Sequence, residues 1–197
     1  MRYDRQHKTA IRQRILDMAT MRFRSEGIAA VGIANLMADL GLTHGGFYWH
    51  FKDKEDLVAQ VCQQAMEHTS EQWQQQMQQA EPGQQRLTVA QHYLSIQHRD
   101  FPDTGCVAAA LAGELSRRTP LARQAFTSGV QQQLATLGEA AAGDGSRPAS
   151  PLTPAVQLSL MVGALLLSRA VSDDALSLQL LQEAEAMIAH HSLPPAD

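Results

Sequence analysis

Two cysteines, eight histidines and one short run of hydroxyl, imidazole and glycine residues hold most of the reactive side chains of this 197-residue chain. Cys62 and Cys106 cannot complete a tetrahedral zinc site by themselves, and neither a CxxC nor an HExxH spacing occurs. His92 and His98, like the adjacent His190 and His191, diverge if each pair lies on one helix. No metal or other cofactor is therefore expected. No Cys/His/Asp arrangement at a recognised spacing supports an enzyme. Cys106 has the more reactive setting of the two thiols. It follows Thr104-Gly105 at an expected helix start, where main-chain N–H groups favour a thiolate. The competing reading makes it a small hydrophobe beside Val107 and Ala110, as Cys62 should be on its own long helix.

Residues 33–51, IANLMADLGLTHGGFYWHF, carry chemistry of a different kind. Leu36, Met37, Leu42 and Phe47 can form an apolar wedge between two short helices, with Gly41 making the turn. Thr43, His44, Gly45, Gly46, Tyr48, Trp49 and His50 are then left at the outer surface. Tyr48, Trp49 and His50 are consecutive, and at about 100° per residue they cannot all be core. Their hydroxyl and ring N–H groups are donors suited to phosphate. Gly45 and Gly46 each cost roughly 1 kcal/mol of helix propensity relative to alanine, and they admit close backbone approach. A helix, a tight turn and a second helix are the parts that lay a reading helix in a DNA major groove. A plain three-helix packing unit is the alternative.

Around this run, helical spacing dominates and no segment alternates with period two. The expected helices span residues 5–26, 33–40, 43–50, 53–79, 84–98, 106–117, 119–142, 153–171 and 173–191. The fold class is all-α, with about nine helices. Gly27 and Gly41 suit the left-handed residue after a helix. Thr43 and Asp53 suit N-caps, and Pro120 a first turn. Eleven glutamines fall in residues 60–85, where the spacing of Leu57, Val61 and Ala65 favours a long solvated helix over a low-complexity tract. Residues 143–154 read as a loop rich in helix breakers.

The net charge is −4, but its distribution is uneven. Residues 1–24 hold seven basic side chains against two acidic, and residues 61–197 hold seven against thirteen. A positive tip on an acidic body can approach a phosphate backbone one way round. The apolar stretch at residues 155–171 contains Gln157 and Arg169, and is too short and polar for a confident membrane span. With no signal-peptide pattern, the expected compartment is the cytoplasm.

The basic first helix, the Gly41-Leu42-Thr43 turn, the Phe47-Tyr48-Trp49-His50-Phe51 run and Lys54 with Glu55-Asp56-Leu57 together resemble the DNA-binding domain of the TetR family of transcriptional repressors. The resemblance covers residues 8–61. It implies an N-terminal helix-turn-helix domain at residues 1–52, and a helical ligand-binding and dimerisation domain at residues 53–197. It implies a homodimer reading a palindromic operator on double-stranded DNA, released by a small-molecule effector. Thr43, His44, Gly45 and Gly46 fall at base and nearby phosphate contacts, and Tyr48, Trp49, His50 and Lys54 at phosphate clamps. Lys8 belongs to the basic leader. Residues 32–34, Gly-Ile-Ala, depart from the family's hydroxyl and basic pattern, leaving backbone N–H groups to meet phosphate there.

In the body, Leu158, Met161, Val162, Leu165, Leu166 and Leu167 wrap nearly all round one helix. A helix apolar on every side must be covered on every side, which supports a dimer through the last two helices. Met66, Trp73, Tyr93, Phe101, Cys106, Phe126 and Met161 are candidate ligand-binding residues. Each aromatic or methionine has a competing core reading. Without convergent charges among them, the expected effector is small and mostly apolar. Modification of Cys106 is a second possible trigger, because several members of the family sense electrophiles or oxidants through one cysteine. A helical small-molecule-binding module without DNA binding is the alternative function.

Overall fold

The computed structural model describes residues 2–143 and 152–192. Those residues form nine α-helices, a longer and a shorter 3-10 segment, and no strand. In chain order these are α1 Arg2–Glu26, α2 Ile33–Asp39, a 3-10 helix His44–Trp49, α3 Lys54–Gln79, α4 Gln85–Tyr93, α5 Ile96–Asp100, a 3-10 turn Pro102–Thr104, α6 Val107–Leu115, α7 Pro120–Gly143, α8 Pro154–Ala170 and α9 Asp174–Ser192. The predicted loop at residues 143–154 lies largely outside the described residues.

Local chemistry explains most boundaries. Gly27 and Gly41 end their helices at φ of 84° and 69°, in the left-handed region that a side chain opposes. Asp53 accepts the Asp56 N–H at 2.8 Å, and the Asp56 carboxylate accepts the Lys52 N–H at 2.9 Å, a reciprocal cap that starts α3. The expected single helix at 84–98 is instead two. After α4, Ser95 has extended backbone and its hydroxyl accepts the His98 N–H at 3.1 Å, capping the new helix α5.

The first three elements close on Ile15, Leu16, Ala19, Phe23, Leu36, Met37, Phe47 and Phe51, all buried. This core runs on without a break through Leu57, Val58 and Val61 of α3 into the body. There α3 packs along α7 so closely that a Cβ on Gly129 would lie 2.5 Å from Met66 Cβ. Helices α8 and α9 pair with each other. Buried Arg86 donates to Gln157 Oε1 at 2.7 Å and to the Leu152 carbonyl at 2.6 Å, tying α4 to α8. No helix among the described residues is long and apolar enough to cross a membrane.

A polar joint adds to this shared core in linking the N-terminal unit to the body. The Glu114 carboxylate of α6 accepts the Ile28 and Ala29 N–H groups at 3.1 and 3.0 Å. Arg118 pairs with Glu114 at 3.6 Å and with Glu55 at 3.0 Å. Lys54 Nζ donates to the Ile28 carbonyl at 2.6 Å.

Candidate nucleic-acid interface and body cavity

The predicted reading helix is a 3-10 helix. Thr43 caps it by accepting the Gly46 N–H at 3.3 Å. Phe47 anchors it from below, fully buried and stacked on Phe51 at 5.3 Å. With the anchor inward, Thr43, His44 and Gly45 are exposed and Gly46 is half-buried. Tyr48 and Trp49 are 55% and 77% exposed. His44 and Tyr48 meet edge to face at 5.7 Å, which orders the pair on the outer surface. Lys8 is exposed on α1, on the side of His50. His50 is half-buried, and its Nδ1 has no hydrogen-bond partner among the described residues. Burial, with Lys8 and Arg12 nearby, holds its imidazole below the ordinary histidine range. Arg12 in turn lies over the Phe51 ring at 5.3 Å and bonds to Gln60.

Lys54, expected at a phosphate clamp, is engaged within the protein. Its ammonium is half-buried and pinned to the Ile28 carbonyl, and burial with Arg118 nearby lowers its pKa. Its visible work is at the joint rather than on an open face.

A cavity of about 120 Å³ lies between α1 and the body. Of the seven candidate ligand residues, Trp73, Tyr93 and Cys106 line it. The others do not. Met66 and Met161 are fully buried, Phe126 is half-buried against the core, and Phe101 is 57% exposed. Arg24, His68, Gln72, Gln76, His92 and His98 complete much of the wall, which is more polar than the seven candidates alone. His92 and His98 both reach it because α4 ends at Tyr93, so one helical period no longer sets their directions. Arg24 could not be seen from spacing. It sits beside core Phe23 on α1, far in sequence from the rest of the wall.

Cys106 precedes α6 and is 3% exposed. Its N–H donates to His98 Nε2 at 2.9 Å, while His98 Nδ1 lies 2.7 Å from the Tyr93 carbonyl and must carry the proton. Burial is the main cause that lowers the His98 pKa to about 4, so the ring is neutral at pH 7. Burial also pushes the Tyr93 hydroxyl up, with Cys106 adding to it. The Cys62 thiol, deep in α3, is raised to about 12 by burial alone.

Residues 15–61 match the model of the bacterial regulatory proteins of the tetR family. That segment, about a quarter of the chain, is similar to the DNA-binding domain of the TetR family. Residues of this chain are 37% identical over 60 positions to the transcriptional regulator AcrR of Shigella flexneri, covering 30% of this chain and 28% of that protein. A Staphylococcus aureus HTH-type regulator is 38% identical over 56 residues, 28% of this chain and 30% of its own length. The chain thus aligns with under a third of these curated relatives. Solved structures extend the likeness of fold over nearly the whole chain. Reduced Escherichia coli NemR superposes with a TM-score of 0.79 at 20% identity, covering 94% of this chain and 99% of that one. A TetR-family regulator from Streptomyces coelicolor gives 0.70 at 24%, covering 92% and 95%. AibR, in complex with isovaleryl coenzyme A and operator DNA, gives 0.66 at 20%, covering 93% and 99%. The TetR-family match ends within α3, so the N-terminal segment is related by sequence and the rest of the chain by fold alone.

Proposed function

We propose that this chain is a ligand-responsive, sequence-specific DNA-binding regulator, with its reader at residues 1–52 and its sensing and dimerisation body at residues 53–197. It acts as a homodimer on a palindromic operator, as a repressor released by a small molecule. The observation that carries this is the outer face of the 3-10 helix. Tyr48 and Trp49 stand exposed side by side, next to an exposed Thr43, His44 and Gly45, on an anchor that is fully buried. Large aromatics held out of a well-packed core contribute little to folding and suit a partner's surface. A basic α1 lies behind them. Thr43 and His44 are assigned to bases, and Tyr48, Trp49, Lys8 and His50 to phosphate.

The exposed Leu166, Leu167, Leu176 and Met187 of α8 and α9 supply the apolar face for a second copy. Two readers then dock about one DNA turn, ~34 Å, apart. Helix α3 joins reader to body. A ligand that tilts it changes that spacing, and a coupling of about 1–3 kcal/mol weakens operator affinity by roughly 5–150-fold. Covalent modification of Cys106 is a second trigger, and it would act on the same cavity wall. A DNA partner puts the chain in the cytoplasm.

Selection of bound sequences from random duplex DNA tests the reading. Two inverted half-sites are expected, with log K falling by about 0.9 per phosphate contact per decade of salt. Equal binding to selected and random duplexes would favour a helical carrier instead. For the thiol, native alkylation of Cys106 no faster than an unstructured cysteine, with Cys106→Ser responding to oxidants as wild type does, would remove that trigger.

A further inference from the structure

Among the described residues, the wall of the cavity between α1 and the body has three polar atoms without a well-formed hydrogen bond, and no carboxylate lines it. The first is Arg24 Nε. The guanidinium is otherwise held by its Nη1, which donates to the Asp103 carbonyl at 3.2 Å. The second is the hydroxyl of Tyr93, a residue 3% exposed, held beside His98 by an edge-to-face contact at 4.7 Å and facing the Cys106 thiol, which is a weak partner only. The third is Oε1 of Gln76. Buried polar groups are costly when unpaired, so a cluster of them around one cavity marks a place for a group that pairs with all three. The chemistry of that group follows from theirs. A guanidinium edge grips a carboxylate, a protonated phenol donates to it, and a side-chain amide turns either end toward a neighbouring hydroxyl or oxo group. The volume of about 120 Å³ suits about six non-hydrogen atoms, given that a cavity of ~150 Å³ holds benzene.

We propose that this cavity binds a short-chain 2-hydroxy- or 2-oxocarboxylate, its carboxylate on Arg24 and Tyr93 and its second oxygen on Gln76. Arg24 belongs to α1, whereas Tyr93 and Gln76 belong to the body. The bound acid therefore bridges the reader's first helix and the sensing half, which is how occupancy reaches the DNA-binding face. This names the effector class of the body and rests, for its regulatory meaning, on the function proposed above.

The test is isothermal titration calorimetry of the full chain with L-lactate and pyruvate, with lactamide as the uncharged control. Saturable binding of at least one acid is expected, with lactamide weaker by about tenfold or more. Arg24→Gln is expected to lose about tenfold, and Tyr93→Phe, which keeps the ring and removes one oxygen, several-fold. Thermal melts of both variants establish that they fold. Equal binding of lactate and lactamide, no saturable heat from either acid, or undiminished binding by both folded variants overturns the proposal. Affinity for the selected operator is measured on the same preparations. Intact operator binding without acid binding defeats this inference alone. Acid binding by a chain that ignores DNA defeats the regulator reading and leaves this one standing.

Discussion

Tyr48 and His98 show how neighbouring chemistry decides what a side chain can do. Tyr48 stands out from the core on a buried neighbour, so its loss should be felt by DNA and hardly by the fold. Tyr48→Ala is expected to weaken binding to every duplex, while Thr43→Ala or His44→Ala costs roughly 1–3 kcal/mol against the selected operator and relaxes its sequence preference. Fluorescence anisotropy on cognate and scrambled duplexes separates the two patterns. His98 is instead neutral and mostly enclosed, with a pKa near 4 against about 6.5 when unfolded. Between those values the unfolded chain binds more protons than the folded one, so stability rises with pH across that window. Its contribution is fully present above about pH 6.5 and is lost as pH falls toward 4, on the order of 3 kcal/mol in all. Urea midpoints at pH 7.5 and 4.5 should differ more in wild type than in His98→Gln, which cannot titrate.

At the scale of elements, the packing of α3 on α7 makes a sharper demand than helix propensity does. Gly129 lies inside α7, where alanine is the better helix former by about 1 kcal/mol. Yet its Cβ would meet Met66 Cβ at 2.5 Å and Cγ at 2.7 Å. Gly129→Ala is therefore expected to destabilise, by about 1–3 kcal/mol, and a lowered denaturation midpoint with unchanged urea dependence would show it. Much at this scale was legible beforehand. Gly27, Gly41, Thr43 and Asp53 announce their turns and caps through residue type, because those effects are local. The break after α4 was not read, since Leu94-Ser95 carries helical spacing and Ser95 acts as a cap only through its hydroxyl bond to the His98 N–H. Tertiary contacts were less visible still. Nothing in the chain order brings Arg24 to the wall that holds Cys106, and nothing in residue type says that Lys54 turns inward to Ile28.

For the whole molecule, the exposed leucines of α8 and α9 set the next expectation. Leu166→Glu combined with Met187→Glu places charge on the face assigned to a second copy. Sedimentation should then report a monomer with native helix content, and operator affinity should fall because paired readers share one duplex. A variant that remains dimeric would move the interface elsewhere. The joint at Glu114 has a different kind of consequence. Its carboxylate grips main-chain N–H groups of Ile28 and Ala29, not their side chains. A coupling made through backbone alone is indifferent to most sequence change in the segment it holds. A head taken from a related regulator, provided its chain follows the same course at that bend and keeps an arginine at position 24, can be transplanted onto this trunk with the linkage intact, so the DNA sequence recognised can change while the response to the signal is retained.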